Sequence, residues 1–273
     1  MWTEGPQTKG PIISSTRLRV QGFSSKKMHL YKTKGIVLKT IKYGETSLIA
    51  TLYTELFGIQ TYIVSGVRTS SRKGPGKANL FQPSAILDLV VYHNDLKNLQ
   101  RIKEMKWATL YQHIFFDVLK NAVALFMVEL LQKCLKQPEP NPDLFYFIED
   151  AFLHLDASEG RIQANFPLFF MLHLAGFFGL RIQDIYTEQT PILDLQEGQF
   201  VAEHPQHHQV LEGNYSYITA QLLRVQQPEE LRELALNQET RRALLQAYQI
   251  FYALHVPDFG EMRTVSVLQT ILS

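Results

Sequence analysis

Cysteine is almost missing from this 273-residue chain, and that scarcity excludes two kinds of architecture. The one thiol, Cys134, can form no internal disulfide and cannot belong to a multi-cysteine metal site, so a reducing compartment fits. Long apolar runs are missing as well. No uninterrupted stretch reaches the length that crosses a bilayer, and the first residues lack the apolar core of a secretory signal. The expectation is a soluble, intracellular, cytoplasmic protein. Catalytic patterns are equally scarce. Asp88 and Asp95 stand seven residues apart around a strand end and form no carboxylate pair, and no glycine-rich loop closes in Gly-Lys-Ser/Thr. The run Arg72 to Lys77, R-K-G-P-G-K, has no amphipathic helix of useful length behind it, so neither ATP hydrolysis nor any other enzyme activity is expected.

What is present is charge of one sign in one place. The net charge of +1 hides five Lys and Arg against one acid in residues 1–27, twelve against five in 28–108, and ten against twenty in 109–273. A basic first half on an acidic second half points to a phosphate-binding module carried by a protein-contacting body. The basic charge is densest in the stretch Val64 to Gln82. There Arg68, Arg72, Lys73 and Lys77 accompany Gly66, Gly74, Gly76 and the hydroxyls of Thr69 to Ser71, a composition suited to a polyanion. Residues 1–27 are polar, without periodicity, and read as a flexible basic tail or an extension ahead of a second start at Met28.

Residues 28–108 carry strand signals. Lys34 to Tyr43, Ser47 to Thr54, Ile59 to Ser65, Ala85 to His93 and Leu99 to Lys106 predict five strands, with a short turn or helical crossing at Leu80 to Pro83. Five strands with a long connection after the third suit an OB-fold barrel, whose open face and loops bind oligonucleotides. Lys39, Lys42, Arg68, Arg72, Lys73 and Lys77 are the main candidates for phosphate contact, with Lys34, Arg101 and Lys103 behind them. Tyr43, Tyr53, Tyr62 and Tyr92 are candidates for base stacking, and Tyr43, next to Gly44 in a turn, is the most exposed on pattern.

From Thr109 the period becomes helical. One apolar stripe from Tyr111 to Cys134 predicts a helix of about seven turns, with Cys134 as a buried structural thiol. Prolines 138, 140 and 142 break it. Further helices are predicted at Asp143 to Asp156, Arg161 to Gly179, Tyr215 to Val225, Pro228 to Leu236, Glu239 to His255 and Thr264 to Leu272, which makes 109–273 a helical domain and the whole chain α+β. A polar excursion at 182–214 holds His204, His207 and His208. With no cysteine and no second ligand pair nearby, surface histidines are expected there and no metal.

Several pieces resemble the bacterial RecO family in order and spacing: Gly35-Ile36-Val37-Leu38, Tyr43-Gly44-Glu45-Thr46-Ser47, Leu52-Tyr53-Thr54-Glu55 leading to Gly58, Gly66-Val67-Arg68, and Gln82-Pro83 ahead of Leu87 to Tyr92. The second half is similar more loosely, through Glu129-Leu130-Leu131, the glycine-ended segment Phe166 to Gly179, and the helices after Arg241. The resemblance covers 28–273. It implies a non-enzymatic, nucleoid-associated mediator of recombination and DNA repair that binds single- and double-stranded DNA, anneals complementary strands, works with RecR and RecF, engages the single-stranded-DNA-binding protein SSB and helps load RecA. An RNA-binding factor with a helical scaffold is the alternative the residues leave open. Many relatives carry four zinc-binding cysteines in the excursion, which has none here, so no zinc is expected. In some relatives the SSB tail docks beside arginines just ahead of the aromatic helix. Here those positions are Ala164 and Asn165, with Arg161 near and Phe166 at the aromatic position.

Overall fold

The computed structural model describes residues 29–68 and 77–271. Arg72, Lys73, the hydroxyl run, Gly74, Gly76 and the basic N-terminal stretch lie outside the described residues.

Alternating apolar residues with frequent β-branching build five strands: β1 (His29–Tyr43), β2 (Ser47–Thr54), β3 (Gly58–Val64), β4 (Ile86–His93) and β5 (Leu99–Trp107). Their pairing order β1-β2-β3-β5-β4 closes on itself as a barrel. All contacts are antiparallel except β3 with β5, where Thr61 pairs with Leu99 and Ile63 with Arg101. This is the expected five-stranded OB arrangement. Val37, Leu48, Ala50, Leu52, Tyr62, Val64, Leu87, Leu89 and Val91 fill the interior, and a 3₁₀ turn at Lys77–Phe81 sends Phe81 into the same cluster.

The second half contains α1 (Val118–Cys134), α2 (Pro142–Ala157), α3 (Gly160–Gly176), α4 (Gly213–Arg224), α5 (Gln238–His255) and α6 (Arg263–Ile271), with a 3₁₀ segment at Pro228–Glu233. The predicted helix from Thr109 begins nine residues later, at Val118, so it has 17 residues rather than seven turns. Asp117 stops it from starting earlier by accepting the Lys120 amide as N-cap, while Asp156 takes the amides of Gln112, His113 and Ile114 at 2.8 Å each. The excursion is not wholly irregular either. It folds as a three-stranded sheet of β6 (Ile192–Asp194), β7 (Gln199–Val201) and β8 (Val210–Leu211), in the order β7-β6-β8.

The helices pack around a core that takes in barrel residues. Ile36, Leu38, Tyr53 and Ile86 are at most 1% exposed and belong to the same cluster as Phe126, Phe145, Phe152 and Phe170. The phenol of Tyr53 donates to the Asn141 carbonyl, that of Tyr111 to the Ser84 carbonyl, and the Gln132 amide to the Leu38 carbonyl. Gly58 shows how closely the two halves approach. Its φ of +61° suits glycine, and a Cβ there would lie 2.3 Å from the Glu139 carbonyl oxygen.

Candidate nucleic-acid interface

Side chains on a strand alternate between faces, and residues directly opposite each other on paired strands share a face. Ala50, Leu52, Tyr62 and Val64 point inward, so their odd-numbered neighbours on β2 and β3 point outward. A bulge between Val37 and Lys39 leaves Leu38 as an extra residue on β1, after which Lys39 pairs with Thr51, Ile41 with Ile49 and Tyr43 with Ser47. Lys39, Ile41 and Tyr43 therefore share the outer face. Two rows result: Lys39, Thr51, Thr61, Leu99, and beside it Ile41, Ile49, Ile63, Arg101. Lys39, Ile41, Tyr43, Leu99 and Arg101 are exposed, and no acid interrupts either row.

Lys42 behaves differently. It pairs with inward-facing Leu48, so it stands at the barrel rim on the side opposite Lys39 and Tyr43. Arg68 joins that rim. Its amide donates to the Thr46 carbonyl and its guanidinium to the Gly44 carbonyl, both at 3.0 Å, which ties the start of the basic loop to the β1–β2 turn. The Ala78 amide donates to the Val67 carbonyl, which brings exposed Lys77 next to the same turn. Among the described residues Lys39 and Arg101 thus stand on the outer face, while Lys42, Arg68 and Lys77 gather at the rim beside the turn at Gly44.

Several candidates are placed where they cannot act as expected. Lys34 is committed to Glu149 of α2 at 2.7 Å, and that hydrogen bond, against a smaller desolvation effect, raises its pKa. Tyr62 is fully buried inside the barrel because it sits on the inward parity of β3, so it cannot stack on a base, and burial pushes its phenol up. Tyr53 is sealed against α2, its phenol pushed up to about 12 by burial. Tyr43, 51% exposed, keeps the stacking geometry, and Tyr92 is half-buried. Lys103 is exposed and pairs with its neighbour Glu104 at 3.3 Å.

In the helical body Phe166 is fully buried and cannot form a surface contact. Asn165 is buried too, donating to the carbonyls of Leu231 and Leu234. Arg161 is exposed and reaches the Arg232 carbonyl at 3.4 Å. The small cavity beside that helix start is lined by Glu159 and Glu229 together with Arg232 and His154, two acids against one arginine, an unfavourable setting for an acidic peptide.

The excursion does not fit a tetrahedral zinc site. It has no cysteine, His207 faces Asp194 while His204 faces Glu212, and among the described residues no group of three or more His, Cys, Asp or Glu is placed to hold a metal ion. Leu193, Leu195, Phe200 and Leu211 form the buried apolar side of the little sheet instead. Cys134 is buried as expected, and burial pushes its thiol up to about 12, which leaves it inert as a nucleophile at neutral pH. Among the described residues no helix is long and apolar enough to cross a membrane. Asp88 and Asp95 are occupied separately, by Lys106 at 3.3 Å and His93 at 3.0 Å.

Comparison with known families agrees with this architecture in both halves. Residues 28–111 match the family described as "Recombination protein O N terminal", and residues 116–184 match "Recombination protein O C terminal". A protein of Bacteroides fragilis named DNA repair protein RecO is 32% identical over 245 residues, covering 89% of this chain and 99% of its own length. Proteins of the same name from Christiangramia forsetii and Phocaeicola vulgatus are 31% and 30% identical, each over 89% of this chain and nearly all of their own. Barrel, helical body and relatives agree: the chain belongs to the RecO family of DNA repair and recombination proteins.

Proposed function

We propose that this protein is a non-enzymatic mediator that binds single- and double-stranded DNA through the barrel, without sequence readout, and anneals complementary strands. The observation that carries the proposal is the pair of acid-free outer rows bearing Lys39 and Arg101, with Tyr43 on the same face and a rim bearing Lys42, Arg68 and Lys77 beside it. Cations on such a surface displace counterions from phosphates and leave base edges unread, so two backbones can be neutralised while their bases remain free to pair. Tyr43 adds a sequence-tolerant stacking platform.

Family membership supports a place beside RecR and RecF in loading RecA onto SSB-coated DNA, with the acidic helical body as the protein-facing half. Arg161 and Phe166 are not offered as an SSB-tail site, because Phe166 is sealed and acids line the neighbouring cavity. No zinc or other cofactor is part of this reading.

The test is fluorescence anisotropy of a labelled single-stranded oligonucleotide across a salt series. Each lost phosphate contact flattens the log–log slope by about 0.7. Lys39→Ala with Arg101→Ala should flatten it by about 1.4, and Arg68→Ala, Arg72→Ala, Lys73→Ala and Lys77→Ala together by about 2.8. Unchanged slopes in both variants would overturn the assignment of DNA to this face. Tighter binding of RNA than of DNA with the same sequence would favour the alternative RNA-binding role.

A further inference from the structure

A cavity of about 450 Å³ lies where the β4–β5 connection meets the proline loop ahead of α2. Phe57, Gln60, Thr61, His93, Asn98 and Pro138 are among its walls. Its volume falls in the range of about 300 to 1,000 Å³ typical of small-ligand pockets. Two features of its lining are specific.

Phe57 and His93 are stacked face to face, 3.9 Å apart at 13°, and Tyr31 meets Phe57 edge-on at 5.2 Å. They form an aromatic platform. His93 Nε2 lies 3.0 Å from the exposed Asp95 carboxylate, a contact that holds the ring in place within the pair. The second feature is position: Thr61 lines the cavity and also stands in the outer row with Lys39, Thr51 and Leu99.

We infer that this cavity is a receptor for a single unstacked nucleobase of the bound strand. The inference rests on the DNA-binding reading above and adds a second, base-holding element to it. A strand whose phosphates follow Lys39 and Arg101 passes the cavity beside Thr61, and Lys97, also in its lining, is available to a further phosphate. One base then leaves the stack and lies against the Phe57–His93 pair, where Thr61 and Asn98 supply donors and acceptors. A duplex keeps its bases paired and cannot fill the pocket without opening a pair, so the cavity favours single strands.

The experiment compares a single-stranded oligonucleotide with a fully abasic one of equal length, on the native protein and on His93→Leu, with a thermal melt to confirm that the variant is folded. On the native protein the abasic strand should bind more weakly, by about a hundredfold for the two bases lost from the pocket and from Tyr43, at an unchanged salt slope. In His93→Leu the difference should shrink severalfold while the slope stays put. A 2-aminopurine strand bound to the native protein should be quenched, and less so in Phe57→Leu. Equal binding of abasic and ordinary strands by the native protein would remove the base receptor and leave backbone binding intact. A difference that persists undiminished in His93→Leu would also overturn the assignment, moving stacking to another ring. Absence of salt-dependent binding by either strand would overturn the DNA reading itself, and the receptor with it.

Discussion

The two flanks of the barrel have opposite fates. One carries Ile36, Leu38, Tyr53 and Ile86, which are sealed into the helical core; the other carries Lys39, Ile41, Tyr43 and Arg101, which remain in solvent. The first flank serves stability and the second is free to serve binding. The same division appears in charge. Lys34 lies toward the helices and is neutralised by Glu149, whereas Lys39, five residues further along the same strand, has an uncharged row around it. A basic residue in a basic half is therefore not by itself a candidate, and what decides is which flank its strand parity gives it.

The comparison breaks most severely at Gly58. An alanine there would be strained by its positive φ and would also drive a methyl into the Glu139 backbone, so Gly58→Ala should cost about 3 kcal/mol, read as a lower denaturation midpoint. Removing charge from the free flank should change binding and not folding. Lys39→Ala with Arg101→Ala is expected to lose about tenfold in single-strand affinity at physiological salt, with an unchanged melting temperature. The sealed flank should respond the other way. Glu149→Gln leaves Lys34 without its counter-charge and should cost about 1 kcal/mol of stability, allowing for the solvent that still reaches Lys34, with DNA affinity nearly unaffected.

The smallest effects are expected within the helical body and depend on pH. For both Asp156 and Glu129, burial works to raise the pKa but is outweighed. Amides of Gln112, Ile114 and His113 hold Asp156 below the usual carboxylate range, and the Thr264 hydroxyl with the amides of Thr264 and Arg263 does the same for Glu129. A depressed carboxylate contributes stability above its unfolded pKa of about 4 and loses it as pH falls through the lower folded value. Stability should therefore decline below about pH 4. Asp156→Asn should make that decline shallower in denaturant titrations, and an unchanged profile would remove Asp156 from the account.

Most of the element map could be read from the chain. The strand Ser47–Thr54 has the predicted bounds, since alternation around Leu48, Ala50 and Leu52 is regular and a turn closes each end. The start of α1 could not be read, because Tyr111 and Phe115 continue the helical apolar period while an interaction 39 residues downstream of Asp117, the Asp156 carboxylate on three amides, fixes the preceding segment as a turn. At the interface, the basic composition was legible but its division was not. Tyr62 could have been excluded from its parity with Val64, both inward on β3. The split between Lys39 and Lys42 depends on pairing with β2, and the His93–Phe57 pair is brought together by barrel closure from residues 36 positions apart.

Leu38, the extra residue in the bulge of β1, has a consequence for how such a protein can change. An added residue in a strand ordinarily threatens the alternation of everything after it. Here the bulge absorbs it, so Leu38 packs into the helices and lends its carbonyl to Gln132, while Lys39, Ile41 and Tyr43 keep step with β2. Attachment of the helical body and composition of the binding face are thereby uncoupled along one continuous strand. Substitutions at Leu38 can tune how firmly the halves are joined, and substitutions one residue away can retune the grip on nucleic acid, with neither set forced to compensate for the other.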